Sequence, residues 1–377
     1  MKRLNKIKNF VSIAILMIVI IGVVLILQPK EKQTIKIGVI SPLTGGNAYF
    51  GMGVLNGASL ALEEADYQIS NFKVDLIVED SAGDSKTAVT AAQKLINVNN
   101  VKVIIFGDGS SQFLAVAPIA EENKVILFSP IASAEKISEA GDYIFRNREK
   151  ANLHGAAMAE FVIKQGFKHV STLYVNAENG ITYENYFVER FEELGGVIKS
   201  RQSYEKGTAD FRTRLLKVKE EGADALYMPG YVQEMAMIAK QIKELNINIT
   251  LFGSTGIEDK LYLDIGDAAE GTFYTMPEID TQKENVALFF ENYEKKYGNP
   301  PEYLELIAST NAYDAMKIIL ITIEKCGEDA DCIRDNLYET KDYDGVGGLI
   351  SFNDVGDVIK PIIVKTIKNG QFVLYEG

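Results

Sequence analysis

Short apolar runs alternate with amphipathic stretches along most of this chain, and few folds accept that rhythm. The runs Ile35–Ile40, Val74–Val78, Val101–Phe106 and Val125–Phe128 are separated by helical stretches at Met52–Ala65, Lys86–Val98 and Gln112–Glu122. Strands that are apolar on successive residues are buried on both faces, and intervening helices supply the crossovers that parallel pairing requires. A second series follows, with strands at Val170–Val175, Val197–Tyr204, Ala225–Met228 and Ile249–Phe252. Its helices are expected at Asn152–Lys164, Tyr183–Leu194, Phe211–Glu221 and Gln233–Leu245. The break falls at Tyr143–Lys150, a short strand-like piece followed by charged residues. Two such series predict an α/β protein of two Rossmann-like lobes with parallel central sheets. The C-terminal part departs from the rhythm. Helices at Lys283–Tyr297, Leu304–Lys325 and Asp331–Glu339 precede GLISFNDVGDVIKPIIVKTIKNGQFVLY, which reads as antiparallel strands with Gly-containing turns. No low-complexity linker interrupts the chain, which favours lobes joined by several crossing strands.

The N-terminus, MKRLNKIKN, places Lys2, Arg3, Lys6 and Lys8 ahead of an 18-residue uncharged run, Phe10–Leu27. That length suits a membrane span, and a basic flank stays in the cytoplasm, so the remainder is predicted to be exported. There is no small-x-small cleavage pattern before Pro29 and no Cys at the end of the run to carry a lipid. Residues 1–33 therefore read as an uncleaved signal anchor in the cell membrane, with a cleaved signal and a secreted product as the alternative. Residues 1–32 hold six of the 39 basic and one of the 52 acidic side chains, leaving 33 against 51, or −18, outside. Such a surface excludes nucleic acid and anionic membrane as partners and keeps the protein soluble. Export permits a disulfide between the two cysteines, Cys326 and Cys332, across the turn GEDAD; two separate buried thiols are the alternative. The two histidines, His154 and His169, lie far from both cysteines, so no metal site is expected.

Three loops at strand ends carry the candidate chemistry. The first lies in IKIGVISPLTGGNAYFGMGVLNGASLALEEAD (residues 35–66), where Ser, Pro, Thr and Gly lead from a strand into a helix. Such a loop offers backbone N–H groups to a ligand. The second is Gly107-Asp108-Gly109-Ser110-Ser111, in which Ser110 is placed to cap the next helix and glycine leaves the backbone open to an anion. The third is Ser129-Pro130-Ile131-Ala132-Ser133. Two neighbouring loops converging on one anion make a stronger case than either alone. The glycines of GMGVLNG (Gly51–Gly57) are spaced G-x-G-x-x-x-G inside a helix, not at its turn, so they do not read as a dinucleotide site. No Ser/His/Asp arrangement, HExxH, P-loop or Cys/His cluster is present, so neither catalysis nor a cofactor is expected.

Five segments, taken in order, resemble the type I periplasmic solute-binding proteins, in particular the branched-chain amino-acid (Leu/Ile/Val) branch. They are IGVISPLTGGNAYFGMGVLNGASLALEEAD, VEDSAGDSKTAVTAAQKLI, IIFGDGSSQFLAVAPIAEENKVILFSPIASA, YMPGYVQEMAMIAKQIKELN and YDGVGGLISFNDVGDVIKPIIVKTIKNG, spread over residues 34–376. The resemblance implies two lobes with three crossings, one of residues 34–147 plus 277–349 and the other of 148–276 plus 350–377. A small solute would be caught between them and passed to the permease of an ABC importer. A ligand-sensing ectodomain of the same fold is the alternative. The resemblance further implies that Ser110, with Ser111 beside it, holds the ligand carboxylate. The Ile131 backbone, Ala132 and the Ser133 hydroxyl would complete that site. Phe50, with Tyr49, and Tyr231 would line the cleft. Two positions depart from the family. Thr255, in FGSTGIED, stands where a carboxylate holds the ligand ammonium, with Glu258 and Asp259 nearby as substitutes. Asn179 stands where an aromatic is usual, and Tyr183 is placed to take over that wall. The carboxylate half is kept and the amine half altered, which points to an amino acid or a related acid or amide.

Overall fold

The structure, a computed structural model, describes residues 32–280 and 282–376, so the expected signal anchor lies outside the described residues. The first series gives strands β1 (Gln33–Ser41), β2 (Gln68–Ile69), β3 (Phe72–Asp80), β4 (Val103–Phe106), β5 (Ile126–Ser129) and β6 (Ile144–Arg146). Helices α1 (Ala48–Glu64), α2 (Ser85–Asn97) and α3 (Ser110–Glu122) connect them. The second series gives β7 (His169–Val175), β8 (Val197–Tyr204), β9 (Ala225–Met228), β10 (Thr250–Gly253) and β11 (Phe273–Pro277). Its helices are α4 (Ala151–Lys164), α5 (Glu178–Glu193), α6 (Arg212–Glu220), α7 (Val232–Glu244) and the one-turn α8 (Lys260–Leu263). Then come α9 (Glu284–Tyr297), α10 (Tyr303–Cys326) and α11 (Ala330–Tyr338), the hairpin β12 (Tyr343–Gly345) and β13 (Gly348–Ile350), and finally β14 (Ile362–Lys368) and β15 (Gln371–Leu374).

The strands form two large sheets, ordered β2-β3-β1-β4-β5-β6 and β15-β14-β11-β10-β9-β7-β8. Apart from the short β2, which runs antiparallel to β3, the first series is parallel with β1 between β3 and β4, and in the second β7 lies in parallel between β8 and β9. Each sheet therefore has a topological switch point beside its first strand, where loops part at the carboxyl ends and leave a crevice. Strand β11 is one element that the periodicity leaves unassigned. It pairs in parallel with β10 and antiparallel with β14, and its five residues end in a proline.

Helix α10 explains why the C-terminal third returns to the first sheet. Residues 304–326 are long and apolar enough to cross a membrane, with mean hydropathy 1.3, yet 78% of the stretch is buried inside the protein. Ala308, Ala312, Ala315, Met316, Ile319 and Ile323 join the core under β1, β4 and β5. Each large apolar side chain buried in this way contributes about 1.5–3 kcal/mol. Helix α1 packs on α10 at Gly57, where a Cβ would run into the Ser309 carbonyl. Gly53 and Gly57 thus serve close helix packing, and Gly51 lets the Pro42 carbonyl of the preceding loop approach.

The chain crosses between the sheets after β6, after β11 and before β14. Ile350, Phe352 and Val358 pack in the core of the first sheet. A buried ion pair ties the end of β6 to the segment that precedes β14. Arg146 Nε meets Asp357 Oδ1 at 2.6 Å, with both side chains at most 2% exposed. Arg146 also donates to the Ala134 carbonyl and to Ser138 Oγ. Cys326 and Cys332 form a disulfide that ties the end of α10 to α11.

Candidate functional site

The switch points of the two sheets face each other across a cleft of about 120 Å³. A cavity of roughly 150 Å³ accepts benzene, so this one suits a small solute.

The first wall is built at the start of α3. Gly109 is the N-cap and contributes no side-chain cap. The N–H groups of Ser110, Ser111 and Gln112 therefore lack helical acceptors and carry the positive end of the helix dipole. Ser110 does not cap the helix as expected. It is the first helical residue, and its Oγ accepts the N–H groups of Ser133 and Ala134, each at 3.1 Å. Ser129 Oγ likewise accepts from Ile131 (3.2 Å) and Ala132 (2.8 Å), so both amides are bonded within the loop. The Ile131 and Ser133 side chains line the cleft, as does Ser110. Ala132 points into the core instead. Ser111 is not among the lining residues, because successive helical side chains turn by about 100°. Tyr49 and Phe50 also line the cleft, from the first turn of α1 and not from the loop, since α1 begins at Ala48.

Asp108 lines the same wall and is 2% exposed. It accepts from Ser81 Oγ at 2.5 Å and from the Gly109 N–H at 2.7 Å. Burial raises its pKa nonetheless, against those two bonds and the charge of Lys206.

The second wall comes from the other sheet. Tyr231, N-cap of α7, lies under Lys206, whose Nζ is 4.9 Å from the ring centroid. Burial, then the charges of Asp108 and Glu234, pushes its hydroxyl up to about 12. Thr255 Oγ1 takes a 3.3 Å bond from Arg148 Nη2 and lies 3.3 Å from the Tyr183 hydroxyl. Asn179, in the first turn of α5, lines the cleft beside Tyr183. Glu258 and Asp259 do not substitute for a carboxylate at Thr255. Glu258 turns to Tyr274 and Lys365 at 2.7 and 2.6 Å, and Asp259 caps α8 through the Leu261 N–H.

Arg148 lies on the first crossing and lines the cleft. Its Nε is 3.0 Å from Glu149 Oε1, and that carboxylate also lies 2.9 Å from His154 Nε2. Glu149 and His154 are completely buried. Burial opposes the charge on Glu149, but Arg148, His154 and Lys360 outweigh it and hold its pKa well below the usual range. Burial lowers the pKa of His154, against the pull of Glu149. The walls also touch at the mouth, where Lys136 Nζ meets Glu178 Oε1 at 2.9 Å and the Glu135 N–H reaches Thr182 Oγ1 at 3.4 Å.

Sequence reasoning passed over Arg148, Lys206 and the carboxylate of Asp108. Arg148 stands in the charged stretch that marked the break between the series, and a lining role could have been suspected from any charge at a crossing. Asp108 was in plain view within the GDGSS loop. Lys206 gave no signal, since it sits in a polar turn after β8. No cluster of three His, Cys, Asp or Glu able to hold a metal occurs among the described residues.

Two parallel α/β sheets linked by three crossings, with their switch points facing one small cleft, define a hinged binder of small solutes. Residues 34–371 match the family described as periplasmic binding protein, and the chain belongs to that family. It is 28% identical over 340 residues to the Leu/Ile/Val-binding protein BraC3 of Rhizobium johnstonii, covering 88% of this chain and 90% of that one. It is 27% identical to the leucine-, isoleucine-, valine-, threonine- and alanine-binding protein of Pseudomonas aeruginosa, covering 91% and 90%. Among solved structures it resembles the leucine-binding protein LivK of Thermotoga maritima, with TM-score 0.84, 31% identity and coverage of 90% and 97%. A solute-binding protein of an ABC transporter from Rhodopseudomonas palustris, in complex with 3,4-dihydroxybenzoic acid, matches with TM-score 0.79 and 25% identity, covering 90% and 95%.

Proposed function

We propose that this protein captures a small carboxylate-bearing solute, an amino acid or a related acid or amide, outside the cytoplasm and delivers it to the permease of an ABC importer. The observation that carries this reading is the meeting of two switch-point crevices in one cleft, with open N–H groups of α3 and the Ser133 hydroxyl on one wall. The names of its relatives support the solute class, and the ABC-transporter solute-binding protein of Rhodopseudomonas palustris supports the transport role. Ser110 and Ser133, aided by Ile131, hold the carboxylate, and Phe50, Tyr183, Asn179, Tyr231 and Thr255 shape the remainder. One lobe comprises the first sheet with the segment from α9 to Val358, and the other the second sheet with its helices. Solute docks on the first wall, and contacts to both walls favour the closed form. The basic, apolar N-terminus supports a tether to the membrane, and the family supports binding and release without turnover.

The test is calorimetric titration of the full chain, in detergent, with amino acids, amides and aliphatic and aromatic acids. We expect a carboxylate to bind, and Ser110→Ala combined with Tyr231→Ala to abolish binding. Full affinity in the double variant would overturn the site, and a panel with no binder would overturn the function.

A further inference from the structure

The cleft has two polar poles, and their chemistry narrows the solute further than the family does. One pole groups Asp108 with Lys206 and Tyr231. Lys206 supplies a cation near the buried carboxylate, whose two oxygens already take the Ser81 hydroxyl and the Gly109 N–H. The other pole is Arg148 with Thr255 and Tyr183.

An arginine carries five N–H donors in a fixed fork and keeps its charge at every physiological pH. The structure engages Nε of Arg148 with Glu149 and one hydrogen of Nη2 with Thr255. The Tyr183 hydroxyl also hydrogen-bonds the guanidinium, which leaves two of the five donors on a side chain that is only 7% exposed and borders the cleft. Glu149 fixes the guanidinium from behind. It is completely buried, so the fork cannot turn away from the cleft without stranding that carboxylate. The first wall presents donors too, from the α3 amides and Ser133. A solute head placed between the walls therefore meets donors on both sides. It needs acceptors on both sides, and an ammonium next to its carboxylate would face a permanent cation.

Resting on the reading above that this cleft binds a small carboxylate, we propose that the solute is an acid without an α-ammonium. It carries a second acceptor beside the carboxylate, as a 2-oxo or 2-hydroxy acid does, and Arg148 is the residue that imposes the choice. Thr255 fits the same role, since its hydroxyl accepts from Arg148 and cannot neutralise an ammonium.

The experiment compares matched pairs by calorimetry on the full chain in detergent: leucine, glutamate and tyrosine, each against the 2-oxo acid of the same carbon skeleton. A charged hydrogen bond made or lost in a buried site shifts affinity by about tenfold or more. We expect the oxo member of at least one pair to bind tighter than its amino partner by about that factor. Arg148→Gln combined with Glu149→Gln removes both charges together and should erase the preference. Arg148→Lys keeps the charge, loses the fork and should retain part of it; it also serves if the double variant does not fold. Tighter binding of the amino member in every pair that binds, with Asp108 then holding the ammonium, would overturn the inference and leave the transport reading standing. So would a preference that survives both substitutions. Binding of none of the six compounds would overturn the inference; the transport reading would fall with it only if the wider panel above also yielded no ligand.

Discussion

The two walls of the cleft are built on the same strand order but differ in how their polar groups are satisfied. On the first wall, apart from the open α3 amides and the Ser133 hydroxyl, the polar side chains are committed to the fold. Ser110 Oγ accepts two amides, Ser129 Oγ two more, Asp108 is bonded at both oxygens, and Gln112 donates to the Gly83 carbonyl at 2.8 Å. On the second wall the Tyr231 hydroxyl makes no hydrogen bond among the described residues, Arg148 keeps donors in hand, and the buried Tyr204 hydroxyl behind Gly230 is unpartnered. The lesson is a division of labour. The first wall is a rigid dock whose geometry exists before the solute arrives. On the reading proposed above, the second wall's groups gain partners when it closes on a solute, which is the differential contact that hinge closure requires.

The largest expected effect lies behind the first wall, where a buried pair ties β6 to the segment before β14. Arg146 is wholly buried, and Asp357 is the carboxylate that neutralises it. Asp357→Ala leaves a buried guanidinium with carbonyl and hydroxyl partners but no counter-charge. Removing one member of a buried pair costs about 3–5 kcal/mol. Urea denaturation should register that loss; a loss below about 1 kcal/mol would mean that this pair does not hold the first wall together.

A smaller effect separates the walls themselves. Ser110→Ala takes the acceptor from two buried amides and should lower stability by about 1–3 kcal/mol, with or without solute. Tyr231→Phe removes a hydroxyl that the fold does not use, so unfolding should change by no more than about 0.5 kcal/mol. Equal stability losses in both variants would erase the distinction between dock and closing wall. Calorimetry should then show the tyrosine variant weakened only in solute affinity.

The same contrast explains what the sequence could reveal. The first wall follows from local rules: an apolar strand, a Gly/Ser loop and a helix start lie within a dozen residues, so GDGSS and SPIAS are readable as anion loops. Even there the detail failed, because Ser110 bonds across to Ser133 and Ala134 instead of capping its own helix. The second wall is assembled by tertiary contact. Arg148 reaches Thr255, more than a hundred residues away, and is held by a buried Glu149–His154 pair that no periodicity announces. Strand β11 was illegible for a related reason. Its five residues are fixed as a strand by β10 and β14 on either side, and an isolated FYTMP carries no pattern of its own.

The least consequential contact should be the one that joins the walls at the mouth. Lys136 and Glu178 meet at 2.9 Å, but their side chains are 68% and 29% exposed, so water and salt screen most of the attraction. Exposed pairs contribute about 0–1 kcal/mol, which limits Lys136→Ala to about a fivefold weakening of solute affinity at low salt. Near 1 M salt the Debye length falls to about 3 Å, and the variant should match the parent protein. If the variant lost more than about tenfold, and lost it equally in high salt, closure would be driven at the rim and not by the groups inside the cleft. The uneven satisfaction of the two walls would then be a feature of packing alone, with no part in capturing the solute.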